Sequence, residues 1–429
     1  MLKLFDLSKD KEDDIQKIIK EREKENNDVV QDVLNIINEV KRNGDKAVKL
    51  FTKSFDRVEL NSFKVSSEEI EEAFSIVEEE FVQALKASIE NIESYHKKQV
   101  KNGYSINKDN GIFMGQLIIP LERIGVYVPG GTANYPSSVL MNVIPAKVAG
   151  VKEIVMITPP TLEGKINPYI LVAASLANVN EIYKVGGAQG IAALAYGTES
   201  IKKVDKIVGP GNVFVATAKK LVYGNVDIDM IAGPSEILII ADEKSSGKYI
   251  AADLMSQAEH DKLASSILVT TSYEKYLEVE SELETQIKSL ERRNIIKESL
   301  MNYGICIICE DINECIRISN KIAPEHLELM IDNSIEYLGK VKNAGSIFLG
   351  YYSPEPLGDY FAGPNHVLPT NGTARFSSPL SVDSFIKKSS YLYYPKEELI
   401  KAAEKIIILA EKEGLTAHGN SIKVRVEND

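Results

Sequence analysis

Residues 226–261 read VDIDMIAGPSEILIIADEKSSGKYIAADLMSQAEHD, and this stretch decides the fold. A small-residue turn, Ala232-Gly233-Pro234-Ser235, leads straight into the apolar run 237–240. A Ser-Ser-Gly break at 245–247 follows, then a helix-like segment ending in Ser256-Gln257-Ala258-Glu259-His260. Strand, break and helix in succession are the repeating unit of a parallel sheet covered by helices. On a helix, Gln257 and His260 are three apart and share a face. An amide oxygen and an imidazole pointing the same way can be half of a zinc shell. Alone, the pair is an ordinary solvated or capped surface, and its weight comes from the rest of the chain.

The same alternation extends on both sides. From Leu117, the runs IGVYV, EIVMI, EIYKV, KIV, EILII, SILVTT, GICII and GSIFL alternate with helix-like segments. Eight such units are many for one sheet. The expected fold is therefore α/β with two Rossmann-like parallel-sheet lobes, divided near Ser235 where Gly233-Pro234 interrupts the pattern. Upstream, residues 9 to about 100 are helical in pattern, with Val29, Val33, Ile36, Ile37 and Val40 on the helical period and Gly44 as a stop. Ser66 with Glu69 makes a capping box before Ile70. Downstream, residues 351–379 are turn-rich, a loop packed around a site. A final helix over 395–413 ends at Gly414, and a short tail follows.

Composition narrows the function classes. The chain has 429 residues, 44% apolar and 26% charged, as expected of an ordinary globular protein of two or three domains. A net charge of -12 argues against nucleic acid or an anionic membrane as partner. The start, MLKLFDLSKDKEDD, turns acidic too early for a secretory signal, and no apolar run reaches the roughly 20 residues that span a bilayer. The expectation is a cytoplasmic protein. Three cysteines fit a reducing compartment. Cys306 and Cys309 form a C-x-x-C inside GICIIC, which reads as a buried strand, so the two thiols point to opposite faces and do not converge on a metal.

Five histidines occur, and four lie in small-residue or turn contexts beside acids or amides: His260, His326, His366 and His418. Imidazole with carboxylate or amide oxygen suits zinc. His96, among charged neighbours near a helix end, reads as structural. Glu325-His326 follows Pro324, where a new turn starts; an acid and an imidazole side by side suit two proton tasks, and a helix N-terminus with a helpful Glu is as good a local reading. Three glycine turns follow strands, Pro129-Gly130-Gly131, 186–190 (GGAQG) and 209–212 (GPGN). Such turns let backbone amides approach a phosphate. None is a true G-x-G-x-x-G, since Phe214 occupies the last glycine position of the third, so a dinucleotide site is permitted and no more.

With these residues assembled, the sequence resembles the histidinol dehydrogenase family. The likeness is carried by IDMIAGPSEILIIAD, AADLMSQAEH, GVYVPGG, VGGAQGIAALAYGT, GPGNVFVATAKK, APEHLEL, LGDYFAGPNHVLPTNGTARFSSPLSV and EGLTAH. One departure is Gly190, where the family carries alanine. The resemblance implies an NAD-dependent enzyme with one Zn2+ per subunit that oxidises L-histidinol to L-histidine in two steps. It implies zinc ligands Gln257, His260, Asp359 and His418. His326 would be the general base for the alcohol step, and Glu325 would activate water for the aldehyde step. Ser235, His366 and Glu413 match substrate-contacting positions, together with Gln257, His260, Glu325, His326, Asp359 and His418. Tyr127, Gln189 and Asn212 match NAD-contacting positions. The family is a homodimer with a composite active site, so His418 and Glu413 would serve the other subunit.

The implied layout is an N-terminal helical arm at 1–25, a main α/β lobe of 26–126 with 235–380, an inserted NAD-binding lobe at 127–234, and a C-terminal dimerisation segment at 381–429. The nearest rival is a paralogous dehydrogenase of another polar alcohol, which the joint presence of Ser235, His366 and Glu413 argues against. A zinc hydrolase would leave the glycine turns without a task.

Overall fold

The computed structural model describes residues 1–10, 12, 15, 17–18, 27–130 and 135–427. Most of the helical arm expected at 1–25 lies outside the described residues, as does Gly131 of the first glycine turn. The chain opens with β1 (Lys3–Asp6). Helices α1 (Asn27–Asn43), α2 (Asp45–Phe55), α3 (Ser67–Ile76) and α4 (Glu79–Lys97) follow among the described residues. Gly44, at φ +50, parts the first two, and the expected capping box of Ser66 and Glu69 opens α3. Strands β2 (Tyr104–Asn107) and β3 (Phe113–Pro120) come next.

A first alternating run then carries β4 (Arg123–Tyr127), α5 (Pro136–Ala149), β5 (Glu153–Thr158), α6 (Pro168–Leu176), β6 (Glu181–Lys184), α7 (Gly187–Tyr196), β7 (Lys206–Val208), α8 (Val213–Val222) and β8 (Asp227–Ile228). A second carries β9 (Glu236–Ala241), α9 (Gly247–Ala258), β10 (Ser265–Thr270), α10 (Tyr273–Gln286), α11 (Arg293–Tyr303), β11 (Gly304–Ile308), α12 (Ile312–Ile322), β12 (His326–Met330), β13 (Ser346–Leu349) and α13 (Glu355–Tyr360). The chain ends in β14 (Ile386–Tyr393), α14 (Lys396–Lys412) and α15 (Thr416–Val426).

The two runs make two wholly parallel sheets, ordered β6-β5-β4-β7-β8 and β1-β11-β10-β9-β12-β13. All eight apolar runs named from the sequence are strands of these sheets. Their unbroken apolar character follows from burial on both faces. In β9, Ile237 and Ile239 pack with Ile250 and Leu254 of α9, while Leu238 and Ile240 pack with Ile316 and Ile318 of α12. Cys306 likewise packs on one face of its sheet and Cys309 on the other, and burial pushes the Cys306 thiol pKa up. Helices α1 and α2 pack on α7, and α3 and α4 on α6 and α5, so the helical region before residue 100 covers the five-stranded sheet. Gly190 is buried in α7, and a Cβ there would lie 2.8 Å from Ile157 Cδ1.

The chain forms two compact units, residues 1–99 with 121–385, and residues 100–120 with 386–429. The second is built on the antiparallel sheet β14-β3-β2. There Gly414, at φ +76, ends α14 in a Schellman pattern, with Leu415 N bonding Ala410 O and Gly414 N bonding Glu411 O. What reads as a short tail is the further helix α15.

In the first unit, the Lys219 ammonium of α8 pairs with the Asp229 carboxylate just past β8, both side chains nearly without solvent access. Asp229 Oδ2 also accepts from Gly209 N at 2.8 Å, and Lys219 donates to Gly209 O at 2.8 Å. The pair thus anchors the third glycine turn. Lys219→Met strands a buried carboxylate and is expected to cost about 3–5 kcal/mol, read as a lowered urea midpoint.

Candidate active site

The site is built at the starts of β9 and β12, which are parallel neighbours with His326 beside Ile237. Glu325 Oε2 accepts from Glu236 N at 2.8 Å, and His326 Nδ1 lies 3.0 Å from Glu236 O. A carbonyl only accepts, so Nδ1 carries the hydrogen and Nε2 is the lone-pair nitrogen. That Nε2 is buried and without a hydrogen-bond partner. Glu355 Oε1 stands 3.8 Å from it and Asp359 Oδ1 3.9 Å. Burial lowers the His326 pKa, against the opposing charge of Asp359, which favours the neutral ring. The local reading of Glu325-His326 as a helix start is corrected. The chain enters a strand here because pairing with β9 and β13 captures the backbone directly after Pro324.

Gln257 lies in α9, fully buried, and neither amide atom has a hydrogen-bond partner among the described residues. His260 does not share the helix with it. The helix ends at Ala258, and His260 sits in the following turn, its N–H donating to Gln257 O at 3.2 Å. Ligand atoms of His260, Glu355 and Asp359 nevertheless lie within 4.8 Å of one another, the spacing of a single cation's ligands. Burial also lowers the His260 pKa. His366 Nδ1 donates to Asp359 O at 3.1 Å, which brings a third imidazole to α13. Ser235 immediately precedes β9, half-buried, with its carbonyl accepting from Ser265 N. His418, in α15, and Glu413, at the end of α14, belong to the second unit, where both are exposed. His96 is buried against Gln99 Oε1, at 2.8 Å, and Asn365, a structural placement.

Sequence reasoning missed Glu355, Glu328 and Asp253. Glu355 was within reach, since Pro354 opens a helical turn that places Glu355 and Asp359 four apart on one face. Burial raises the Glu355 pKa, and the charge of Asp359 raises it further.

The nucleotide candidates gather at the C-terminal ends of β4 and β7. These strands are neighbours whose connections run to opposite sides of the sheet, a topological switch point. The Tyr127 hydroxyl accepts from Gly187 N at 3.3 Å, and burial pushes its pKa up to about 12. Gln189 is buried with its Oε1 unpaired. Asn212 caps α8, Oδ1 accepting from Phe214 N and Val215 N, with the residue itself exposed. Gly209 has φ +108, and a Cβ there would lie 2.1 Å from Tyr127 O.

The chain is similar to known proteins. Residues 19–426 match the family model described as histidinol dehydrogenase. A histidinol dehydrogenase from Clostridium acetobutylicum is 63% identical over 408 residues, 95% of this chain and 95% of the relative. One from Caldanaerobacter subterraneus subsp. tengcongensis is 57% identical over 432 residues, 100% of each chain. The crystal structure of histidinol dehydrogenase from Elizabethkingia anophelis matches with a TM-score of 0.94 at 40% identity, covering 99% of this chain and 98% of that one.

The turn at Gly209 tests the nucleotide reading directly. Gly209→Ala forces a methyl against the Tyr127 carbonyl and is expected to weaken NAD binding about tenfold or more, measured by fluorescence titration.

Proposed function

The chain belongs to the histidinol dehydrogenase family, and from that premise we propose how its side chains divide the work. It is an NAD-dependent oxidoreductase of the last step of histidine biosynthesis, oxidising L-histidinol through bound L-histidinal to L-histidine. The reaction removes four electrons as two successive hydrides, each accepted by an NAD.

Zinc would be held by Gln257, His260 and Asp359, with His418 completing the set. The fully buried Gln257 amide without a partner supports this, because such a group is costly unless something binds it. The donor set is nitrogen and oxygen throughout, which suits zinc. When bound, zinc supplies a positive charge that holds and orients the substrate's amine and imidazole.

The observation that carries the catalytic assignment is the His326 ring, locked through Nδ1 to Glu236 O with Nε2 buried and unpaired. In the first step Nε2 takes the hydroxyl proton while hydride leaves the same carbon. In the second, Glu325 takes a proton from water as the water oxygen adds to the aldehyde carbon, and hydride leaves again. Glu325 Oε2 is oriented for this by the Glu236 amide. Ser235, His366 and Glu413 contact the substrate's polar ends. Residues 127–234 serve as the NAD-binding lobe, with Tyr127, Gln189 and Asn212 on the cofactor.

The enzyme works as a homodimer, with His418 and Glu413 reaching the partner's site. The second unit supports this reading. Leu392, Tyr393 and Leu409 are each at least 60% exposed there, apolar surface that a partner subunit would cover.

With L-histidinol and added zinc, the expected yield is two NADH per substrate, lost on chelation and restored by zinc. One NADH per substrate, or turnover indifferent to chelation, overturns the reading. Mixing His326→Asn subunits with His418→Asn subunits is expected to restore activity that neither has alone, since one site of each hybrid is then intact. No recovery means that each site is built from a single chain.

A further inference from the structure

A second layer of acids lies behind the catalytic cluster, and the mechanism leaves it without a task. Asp253, Glu328 and Glu355 are 8%, 2% and 2% exposed. Each stands one structural repeat from a residue of the site. Asp253 and Gln257 are four apart on α9, His326 and Glu328 two apart on β12, and Glu355 and Asp359 four apart on α13. Each pair therefore shares a face of its element.

The layer is joined by hydrogen bonds. Glu328 Oε1 accepts from the backbone N–H of Glu355 at 2.7 Å, which satisfies the first amide of α13. The Asp253 carboxyl faces the Glu328 carboxyl within hydrogen-bonding reach, and Glu328 Oε2 is buried with no other partner among the described residues. Carboxylates only accept, so a bond between two of them needs a shared proton. Burial raises both pKa values, and among the described residues no lysine or arginine offsets it. Such a pair is a poor choice for stability alone, because apolar residues of the same volume pack there at less cost.

We propose that the Asp253–Glu328 carboxyl pair is a positioning device that ties α9, β12 and α13 together and so sets the separation of Gln257, His326 and Asp359. This rests on the roles assigned above to those three residues. The tie needs an acceptor toward Glu355 N and a hydrogen between Glu328 and Asp253; it does not need a negative charge on Glu328.

The test compares Glu328→Gln with Glu328→Met in the zinc-loaded enzyme. The Gln amide oxygen accepts from Glu355 N and its NH2 donates to Asp253, so kcat is expected to stay within about threefold of the parent and zinc to resist a competing chelator equally well. Met offers neither bond, and kcat is expected to fall about a hundredfold, the scale of an ångström's misplacement. Its zinc should be lost at a lower chelator concentration, with KM for NAD unchanged because the nucleotide turns lie in the other sheet. A Gln variant as impaired as Met, or a Met variant with parental kcat and zinc retention, overturns the proposal. Should Glu328→Met fail to fold, Asp253→Asn against Asp253→Leu makes the same comparison from the other partner. A parent that does not oxidise histidinol refutes the assigned reaction instead, and zinc retention in the variants still decides the tie.

Discussion

Both backbone polar groups of one residue, Glu236, are held by side chains of the neighbouring strand's start: its N–H by Glu325 and its C=O by His326. The rest of the site depends on this. The bond to the carbonyl fixes which ring nitrogen of His326 carries hydrogen, and so which one keeps its lone pair. It forms because β9 and β12 are parallel neighbours in the register that sets His326 against Ile237. A slip of one residue would turn every side chain of β12 to the opposite face. His326 would then leave the cluster, and Leu327 and Leu329 would leave the core with α12. Burial of these leucines and the tautomer of His326 are thus one constraint, and the same packing that stabilises the sheet holds the imidazole.

This places the chemistry at an unusual edge. Open α/β sheets bind ligands outside the carboxyl ends of their strands, at a switch point. The five-stranded sheet has its switch point there, with Tyr127 and the Gly209 turn at the ends of β4 and β7. The six-stranded sheet contributes instead from the amino ends of β9 and β12. The reason is the connection: residues 229–235 run from the end of β8 directly into β9. So short a link joins the carboxyl edge of one sheet to the amino edge of the other. The buried Lys219–Asp229 pair at the head of that link fixes the turn on the nucleotide side.

Much of this was legible in the residues. The eight apolar runs are strands because burial on both faces leaves a continuous signal, and the capping box at Ser66 is a local chemistry that tertiary context does not override. β12 was illegible because it begins immediately after Pro-Glu, which reads as a turn, and carries two acids-or-imidazoles among five residues. Those polar residues are stable there only through partners from distant segments, Glu236, Glu355 and Asp253, which no local pattern reveals. The six-residue α13 was hidden for the same reason, being too short to show a period. His260 fell off the expected helix face because the helix stops two residues earlier, yet the turn carries it to Asp359 all the same. The domain that takes up residues 27–97 was also beyond local reading, since their apolar stripes state that they are covered and not by what.

The electrostatics of the cluster decide what it can bind. Glu325, Glu355 and Asp359 converge around His326, whose pKa burial lowers, with Glu328 and Asp253 in the layer behind. Burial raises the pKa values of Glu355 and Glu328, and the charges of the neighbouring acids raise them further. An anionic ligand would sharpen this repulsion and a cation relieves it, whether a divalent metal beside His260 and Asp359 or the ammonium of an amino alcohol. Such a cluster favours a cationic ligand over an anionic one. As alcohol becomes carboxylate in the second oxidation, the product acquires the one charge that this cluster of acids repels, so the chemistry itself weakens the hold on what it has made.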